Sequence, residues 1–370
     1  MGALEMRKGL AGLVAAAFGV ALFAGVASGE GVLNVYNWND YIDPQTIERF
    51  EAETGIKIRY DLYDSNEVLD AKLRAGRSGY DLVAPSASPF LAKQLPAGLY
   101  QRIDRSKLSN YGNLDPQIMK QLDRYDPGNQ HAVPWMWGTT GIGYNAGLVR
   151  KIMPDAPVNS LRMLFDPAIV SRFASCGVVI LDSPTDVIPA ALAYLGLEPD
   201  SKRPEDLDKA VGVLTKIRPH VRKWHSSEYI NDLANGDACL AFGYSGDIKQ
   251  AAARAEEAGR GVTVEYAIPR EGALVWVDAW AIPADAPNVA NAHRFLDFVL
   301  RPDIAAQNTN FIGYANAVPS SRTMIDPAIR DDATIYPPDE IRKRFYTITP
   351  ADRAYDRLRT RAWTRVTTGQ

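Results

Sequence analysis

Short runs of alternating hydrophobic and polar positions begin at residue 32, and each is followed by a longer amphipathic stretch. The runs GVLNVYNW, IKIRYDLY and YDLVAPSAS predict three strands. Between them, PQTIERFEAETG and SNEVLDAKLRAG have the apolar spacing of helices, with Ser65 as a candidate N-cap and Gly55 and Gly76 as stop signals. This alternation predicts an α/β fold in which a mainly parallel sheet is flanked by helices.

A second alternating unit begins near HAVPWMWGTTGIGYNAGLV and continues through CGVVILDSPTDV and DACLAFGYSGD. After it, VTVEYAIPREGALVWVDAWAIP predicts two strands and NVANAHRFLDFVL predicts a helix. No flexible linker separates the two units, so we expect two lobes joined by hinge strands that cross between them. The expected boundaries are 30–140 plus 276–315 for lobe 1, and 141–275 plus 316–370 for lobe 2. Such a hinge suits closure around a ligand.

The amino terminus has the layout of a secretory signal peptide. Arg7 and Lys8 precede the apolar run LAGLVAAAFGVALFAGV, and small residues close it in GVASG. The alternative is a membrane anchor, but the run is at the lower length limit for spanning and is rich in Ala and Gly. We therefore expect residues 1–29 to be removed, and the mature protein to be exported to the periplasm.

The net charge of the chain narrows the classes of possible partner. The complete chain carries a net charge of −3, and loss of Glu5, Arg7 and Lys8 with the leader would make it −4. This mildly acidic balance argues against nucleic acid as a partner.

The chain has two cysteines, Cys176 and Cys239, and an even pair in an exported protein favours one disulfide over two buried thiols.

Three catalytic or cofactor motifs are weak in this sequence. GIGYNA at 141–146 resembles a dinucleotide fingerprint, but it lies mid-chain, where a crossing strand is the better interpretation. GYSGD at 243–247 resembles a nucleophile elbow but has Asp247 where the final Gly belongs. The four histidines have no metal-ligand spacing. We expect no enzyme activity, no metal and no cofactor.

The stronger signal is a set of loops that combine aromatic and carboxylate side chains where strands end. NVYNWNDYID at 34–43, DSPTD, GYSGD, WVDAW and GYAN share this composition. In open α/β sheets, ligands bind at the carboxyl ends of strands. Asp278 lies inside an apolar strand, where an unpaired carboxylate is costly. These loops predict a site for an organic cation.

Taken together, these runs resemble the periplasmic polyamine-binding proteins of ABC importers, and most closely the putrescine-binding members. The resemblance covers the mature chain and is clearest in YNWNDYI, LDSPTDV, YINDLANGDACLAFGYSGD, WVDAWAIPADA, IYPP and RTRAWT. It implies a two-lobed periplasmic binding protein fold, a monomer that delivers a polyamine to an inner-membrane permease, and a disulfide between Cys176 and Cys239. By motif it implies a ligand-binding set of Trp38, Asn39, Asp40, Tyr41, Ser86, Asp186, Ser226, Tyr244, Asp247, Trp276, Asp278 and Tyr314.

Three of these positions depart from the family pattern. The family often has Ser or Thr in place of Asn39, Glu in place of Asp186, and Trp in place of Tyr244. Asp247 is typical of diamine binders, whereas Trp276 is typical of members that take longer polyamines. We expect putrescine or a similar short diamine as the ligand. The alternatives are a spermidine-preferring protein, a polyamine sensor of the same fold, and an exported hydrolase of amine substrates.

Overall fold

The computed structural model describes residues 31–369, so the predicted leader at 1–29 lies outside the described residues. The described part contains eleven strands: β1 (Val32–Trp38), β2 (Lys57–Tyr63), β3 (Leu82–Val83), β4 (Ala132–Asn145), β5 (Val178–Ile180), β6 (Lys223–Trp224), β7 (Leu240–Tyr244), β8 (Val264–Ala267), β9 (Ala273–Ala281), β10 (Ala315–Asn316) and β11 (Phe345–Tyr346).

Sixteen α-helical segments accompany these strands within the same residues, and half of them are the next element after a strand. They are α1 (Pro44–Thr54), α2 (Asn66–Arg74), α3 (Ala92–Gln94), α4 (Pro116–Leu122), α5 (Ala146–Ile152), α6 (Arg162–Phe165), α7 (Pro167–Val170), α8 (Pro184–Tyr194), α9 (Pro204–Ile217), α10 (Tyr229–Asn235), α11 (Ser245–Ala258), α12 (Val289–Val299), α13 (Pro302–Ile312), α14 (Pro327–Arg330), α15 (Asp339–Arg342) and α16 (Arg353–Thr368).

The predicted helix signals act as expected at the first two helices. Asp43 caps α1 by accepting the backbone N–H of Gln45, and Gly55 ends that helix with φ of 71°, a left-handed conformation that glycine adopts without strain. Ser65 caps α2 by accepting the N–H of Val68. These caps fix where each helix begins after its strand, and so position the loops between them.

The two sheets are mixed, and each combines parallel strands with antiparallel crossing strands. In the first sheet the order is β2-β1-β3-β9-β4-β10, with β1 parallel to β2 and β3. In the second the order is β8-β4-β7-β5-β6, with β5 parallel to β6 and β7. The α/β class is confirmed. The antiparallel pairs come from β4 and β9, whose direction the strand–helix alternation does not encode.

Strand β4 passes from the first sheet into the second without a break. Its residues Ala132–Thr139 pair with β9, and Thr140–Asn145 pair with β7 or β8. The GIGYNA motif therefore lies on this crossing strand and at the start of α5. A Cβ at Gly141 would lie 2.6 Å from the Tyr266 hydroxyl oxygen, so the glycine permits a close approach to β8.

Two hydrophobic cores lie on either side of the crossing strands. The first collects residues between 33 and 137 and between 277 and 335, and the second collects residues between 142 and 266 and between 355 and 366. Ala317, Val318 and Ile335 pack in the first core, although our predicted boundary assigns 316–370 to the second lobe. The chain thus makes a third passage between the cores after residue 335, where β11 pairs with β9.

Cys176 and Cys239 form a disulfide, as predicted. The bond ties the segment before β5 to the segment before β7, and both lie at the second core. Among residues 31–369, no helix is both long enough and apolar enough to cross a membrane.

Candidate ligand-binding site

A cavity lies between the two cores, and eleven of the twelve predicted site residues line it. Asp40 is the exception. The other lining residues, which the sequence analysis did not select, are Asp64, Asn66, Ser88, Pro89, Thr185, Ser227, Leu274 and Ile348.

Sheet topology brings these residues together. Asn39 follows β1, Ser86 follows β3, Asp186 follows β5 and Ser226 follows β6, all parallel strands whose carboxyl ends face the cavity. This is where ligands bind in open α/β sheets. Trp276 and Asp278 come instead from the middle of the crossing strand β9.

Asp278 is only 4 % exposed and is held by hydroxyl groups. The Ser86 hydroxyl donates to its Oδ1 at 2.6 Å, and the Tyr41 hydroxyl donates to its Oδ2 at 2.8 Å. Burial raises the pKa of Asp278 to about 7; these two hydrogen bonds oppose the rise, and the nearby carboxylates Asp186 and Asp247 add to it. An ammonium group beside Asp278 would relieve this cost.

Asp247 is a second buried carboxylate of the cavity lining and has a similar environment. The hydroxyls of Tyr229 and Tyr314 donate to its two oxygens at 2.6 and 2.5 Å. Burial raises the pKa of Asp247 to about 6, against the effect of these two hydrogen bonds. Asp247 lies in the first turn of α11, within the GYSGD motif.

The serine of GYSGD has a structural contact in this arrangement. The Ser245 hydroxyl accepts the backbone N–H of Thr139 at 3.3 Å, and Ser245 is 3 % exposed. A Cβ at the neighbouring Gly246 would lie 2.4 Å from the Tyr314 ring, so only glycine lets that ring pack against α11. The motif therefore positions Tyr314 and Asp247 in the cavity wall.

Asp186 is the third buried carboxylate of the lining. It accepts the hydroxyls of Ser183 at 2.6 Å and Thr140 at 2.9 Å, with a longer contact of 3.4 Å from the Tyr244 hydroxyl. Burial raises the pKa of Asp186, and the three hydroxyl donors oppose that rise.

Four aromatic pairs form a continuous wall along the cavity. Ring centroids lie 5.2 Å apart for Tyr41 and Tyr314, 5.3 Å for Tyr314 and Trp276, 5.8 Å for Trp276 and Tyr244, and 6.4 Å for Tyr244 and Trp38. The pairs are edge-to-face, which leaves ring faces available for apolar or cationic groups. The wall includes aromatic rings from both lobes.

The charge of the lining is entirely negative. It contains four aspartates and no Lys, Arg or His, within the described part of the chain. The three buried aspartates receive hydrogen bonds from neutral hydroxyls only. Although carboxylates are metal ligands in many proteins, residues 31–369 contain no group of three or more His, Cys, Asp or Glu that could hold a metal ion. The arrangement suits an organic cation.

The prediction for Asp40 needs a correction. Its backbone has φ of 51°, and its carboxylate pairs with Arg254 of α11 at 2.7 Å instead of lining the cavity. The Asp40 carbonyl also accepts the side-chain N–H of Gln250. Asp40 therefore connects the first lobe to α11 at the edge of the cleft. The sequence could not reveal this contact, because its partner lies 214 residues away.

Two kinds of functional residue were missed by the sequence analysis. Asn66 positions Ser86 through two hydrogen bonds, and it follows β2 in the same way as the selected loops follow their strands, so that signal was present. Ile348 reaches the cavity through the third passage and accepts the Ser88 hydroxyl on its carbonyl. No pattern in the sequence around Ile348 indicated this.

Residues 45–337 match the family model of the bacterial extracellular solute-binding proteins. The chain belongs to this family. The match fits the two-core fold and the cavity between the cores.

Individual solute-binding proteins with similar sequences support the same placement. The chain is 50% identical over 345 residues to the putrescine-binding periplasmic protein SpuD of Pseudomonas aeruginosa, covering 93% of this chain and 94% of the relative. It is 46% identical over 366 residues to the putrescine-binding periplasmic protein PotF of Escherichia coli, covering 98% and 99%. A solved structure, a putative spermidine/putrescine ABC transporter from Listeria monocytogenes, superimposes with a TM-score of 0.82 at 30% identity, covering 92% and 100%. The predicted periplasmic location is confirmed by these relatives, which are periplasmic by name.

Proposed function

We propose that this chain is the substrate-binding subunit of a polyamine ABC importer, and that it encloses putrescine or another short diamine between its lobes. The observation that carries the proposal is the set of three buried carboxylates, Asp186, Asp247 and Asp278, whose hydrogen bonds come only from hydroxyl groups. The names of the similar proteins give independent support.

The energetics favour a ligand with charged ends and an apolar middle. Burying an ion without a partner costs several kcal/mol, so each ammonium group of the ligand needs a carboxylate. Asp278 and Asp247 would pair with the two ammonium groups of a diamine, each through charge-assisted hydrogen bonds of about 1.5–3 kcal/mol. The methylene groups would lie against the rings of Trp38, Tyr244 and Trp276.

The two lobes would close around the ligand by bending at the three chain passages. We propose lobe boundaries that follow the hydrophobic cores, so that lobe 1 includes residues 317–335 and lobe 2 resumes near residue 355. The ion pair between Asp40 and Arg254 would form as the cleft closes. We expect the protein to act as a monomer with a membrane permease and without nucleic acid.

Ligand preference follows from the balance between Asp247 and Trp276. Tyr229 and Tyr314 hold the Asp247 carboxylate in place, which favours a ligand whose terminal ammonium group lies beside it. The large indole surface of Trp276 instead suits a longer polyamine. Misplacing a charge-assisted contact costs about 1.5–3 kcal/mol, more than the ~0.5–1 kcal/mol from one exposed ring. We therefore expect putrescine to bind more tightly than spermidine near neutral pH, and Asp247→Ser to narrow or reverse the difference.

An experiment with the membrane permease distinguishes a role in transport from a role in signalling. Reconstitution of the protein with its permease in vesicles should give ATP hydrolysis that putrescine stimulates. Incubation with amine substrates should give no product by mass spectrometry. Product formation would instead favour the hydrolase alternative, and normal ligand binding without stimulation of any permease would favour a sensor.

A further inference from the structure

A second cavity lies on the other face of the crossing strand β9. Successive side chains of a strand point to opposite faces, so Trp276 and Asp278 line the first cavity while Val275 lines the second. Trp137 of β4 and Phe345 of β11 also line the second cavity. This cavity is therefore built on the crossing strands and on the third passage between the lobes.

The charge of the second cavity is opposite in sign to that of the first. Within the part of the chain that the structure describes, its lining contains Arg322 and Arg342 and one carboxylate, Asp115. Asp115 caps α4 by accepting the backbone N–H of Gln117 at 2.7 Å. Neither guanidinium forms an ion pair with any carboxylate of residues 31–369. The second cavity thus has an excess of positive charge.

Aromatic rings hold both guanidinium groups in one cluster. The guanidinium carbon of Arg322 lies 3.9 Å from the ring centroid of Tyr336, and that of Arg342 lies 5.4 Å from the ring centroid of Trp137. These two rings meet edge-to-face, with centroids 6.2 Å apart. The two cations are therefore neighbours at the wall of one cavity.

Each guanidinium keeps most of its hydrogen-bond donors for a ligand. Arg322 donates through Nη2 to the carbonyl of Arg330, and Arg342 donates through Nε to the carbonyl of Pro337, both at 2.9 Å. A guanidinium has five N–H donors in one plane, and two of them together match a carboxylate or a phosphate group. Because stacking and these bonds already orient both groups, a ligand that binds them loses less entropy.

A single arginine stacked on a surface ring is common in proteins and needs no ligand. This cavity differs because two such cations share it, repel one another and have no paired carboxylate. Asp331 is the acidic residue outside the lining that Arg322 affects. Hydrogen bonding to Arg330 lowers the pKa of Asp331, and Arg322 adds to that effect from a greater distance. The ion pair of Asp331 is with Arg330, so the charge of Arg322 stays available.

We propose that the second cavity binds a small oxyanion with two or more negative charges, a polycarboxylate or a phosphate, between Arg322 and Arg342. Such an anion replaces the repulsion between the two cations by charge-assisted hydrogen bonds. Polyamines do not compete for this site, because its positive lining repels them.

The proposed anion connects the first lobe to the third passage. Arg322 belongs to the 3₁₀ helix Pro319–Met324, which packs with the first lobe, whereas Arg342 ends α15 in the third passage. Three residues after Arg342, Phe345 pairs with Ala273 of β9. The same passage then supplies Ile348 to the first cavity. An anion between the two arginines therefore holds the third passage against lobe 1.

Binding at the two cavities should be coupled for this reason. In the structure the lobes are joined across the cleft by the ion pair of Asp40 and Arg254, and the two arginines of the second cavity lie together in that arrangement. An anion bound there favours the joined arrangement, which encloses the polyamine. Polyamine and anion then raise each other's affinity by the same factor. This coupling rests on the proposed polyamine binding, whereas the anion site does not.

The first test is calorimetric titration of the ligand-free mature protein with citrate and, separately, with inorganic phosphate at pH 7.5. We expect one site per chain, and tighter binding of citrate would indicate a polycarboxylate, whereas tighter binding of phosphate would indicate a phosphate ligand. Sodium chloride at the same ionic strength is the control for general screening of charge.

The variants are Arg322→Gln and Arg342→Gln, each of which should lower the affinity for the preferred anion about tenfold, through loss of a charge-assisted contact. Arg344→Gln is the matched control. It removes the same charge two residues from Arg342, but Arg344 does not line the cavity and its guanidinium contacts the carbonyl of Arg270.

The second test is titration of putrescine with and without a saturating amount of the preferred anion, at constant ionic strength. The anion should raise putrescine affinity about fivefold in the wild type and in Arg344→Gln, and should have no effect in Arg322→Gln. Without the anion, putrescine affinity of Arg322→Gln should stay within about twofold of the wild type, because Arg322 is outside the first cavity.

Absence of binding by both anions, or equal anion affinity in the wild type and the two variants, would overturn the anion site. Anion binding that leaves putrescine affinity unchanged would overturn the coupling. Anion binding by a protein that binds no polyamine would instead overturn the proposed function and leave the anion site in place. Melting temperatures of the variants equal to that of the wild type exclude misfolding as the cause of a loss.

Discussion

Replacing Asp278 should remove polyamine binding without unfolding the protein. The carboxylate is 4 % exposed, accepts two hydroxyls, and has no basic neighbour in the cavity lining. Asp278→Asn keeps the shape of the side chain and an acceptor for one hydroxyl, but it leaves an ammonium group buried without a counter-charge. Removing one partner of a buried pair costs about 3–5 kcal/mol, which corresponds to a fall in affinity of roughly 10²–10⁴-fold.

The stability of the ligand-free protein should change in the opposite direction. The folded pKa of Asp278 is raised to about 7, so the stability associated with its protonated form is lost as pH rises from about 4 to about 7. The neutral Asn does not lose that stability. We therefore expect Asp278→Asn to melt at the same temperature as the wild type, or higher, above pH 7.

Isothermal titration calorimetry with putrescine, together with thermal melts at pH 6 and pH 8, checks both parts. Asp278→Ala is the second variant, and it should also abolish binding. Putrescine affinity within about threefold of the wild type, a difference of only about 0.6 kcal/mol, would refute the role of Asp278. If Asp278→Asn lowers the melting temperature by several degrees at pH 8, the ionised carboxylate does not destabilise the ligand-free protein.

Three further predictions follow from the disulfide, the raised pKa values and the position of Asp40. The unreduced mature protein should show no free thiol under denaturing conditions, and two titratable thiols would contradict the disulfide. Reduction should lower the melting temperature by roughly 10 °C, because a disulfide between residues 63 positions apart stabilises the fold by about 4 kcal/mol. Putrescine affinity should be nearly constant above pH 8 and fall as pH drops through about 7 and then about 6, where Asp278 and Asp247 take up protons; a pH-independent affinity would exclude their ionised forms as ligands. Asp40→Asn should lower the affinity for putrescine by less than about fivefold, because a half-exposed ion pair is worth at most about 1 kcal/mol. A hundredfold loss of affinity in calorimetry would instead indicate that Asp40 contacts the ligand.

Patterns of alternation and capping were sufficient to predict the α/β class, the strands β1 and β2, and the helices α1, α2 and α12. They succeed because local periodicity records which face of an element is buried. The expectation that GIGYNA belongs to a crossing strand is also confirmed, since residues 140–145 lie in β4. Strand direction and the third passage between the cores depend on pairings that are distant in sequence.

The candidate site was predictable where aromatic and acidic residues follow a strand, as at Trp38 and Asp186. It was not predictable where position depends on tertiary contacts. Asp40 lies in the right loop, but a left-handed φ and the distant Arg254 take it out of the lining. Tyr229 holds Asp247 from α10, a contact that spans 18 residues, and Ile348 enters by the third passage.

The central claim is that an amine with two positive ends is the ligand, and calorimetry with a panel of putrescine, cadaverine, agmatine, spermidine and spermine at pH 7.5 tests it most directly. We predict one site per chain, putrescine affinity at least in the micromolar range, equivalent to about −8 kcal/mol, and weaker binding of spermidine. Spermidine at least tenfold tighter than putrescine would contradict the diamine preference. No heat of binding from any amine of the panel would contradict the polyamine function as a whole.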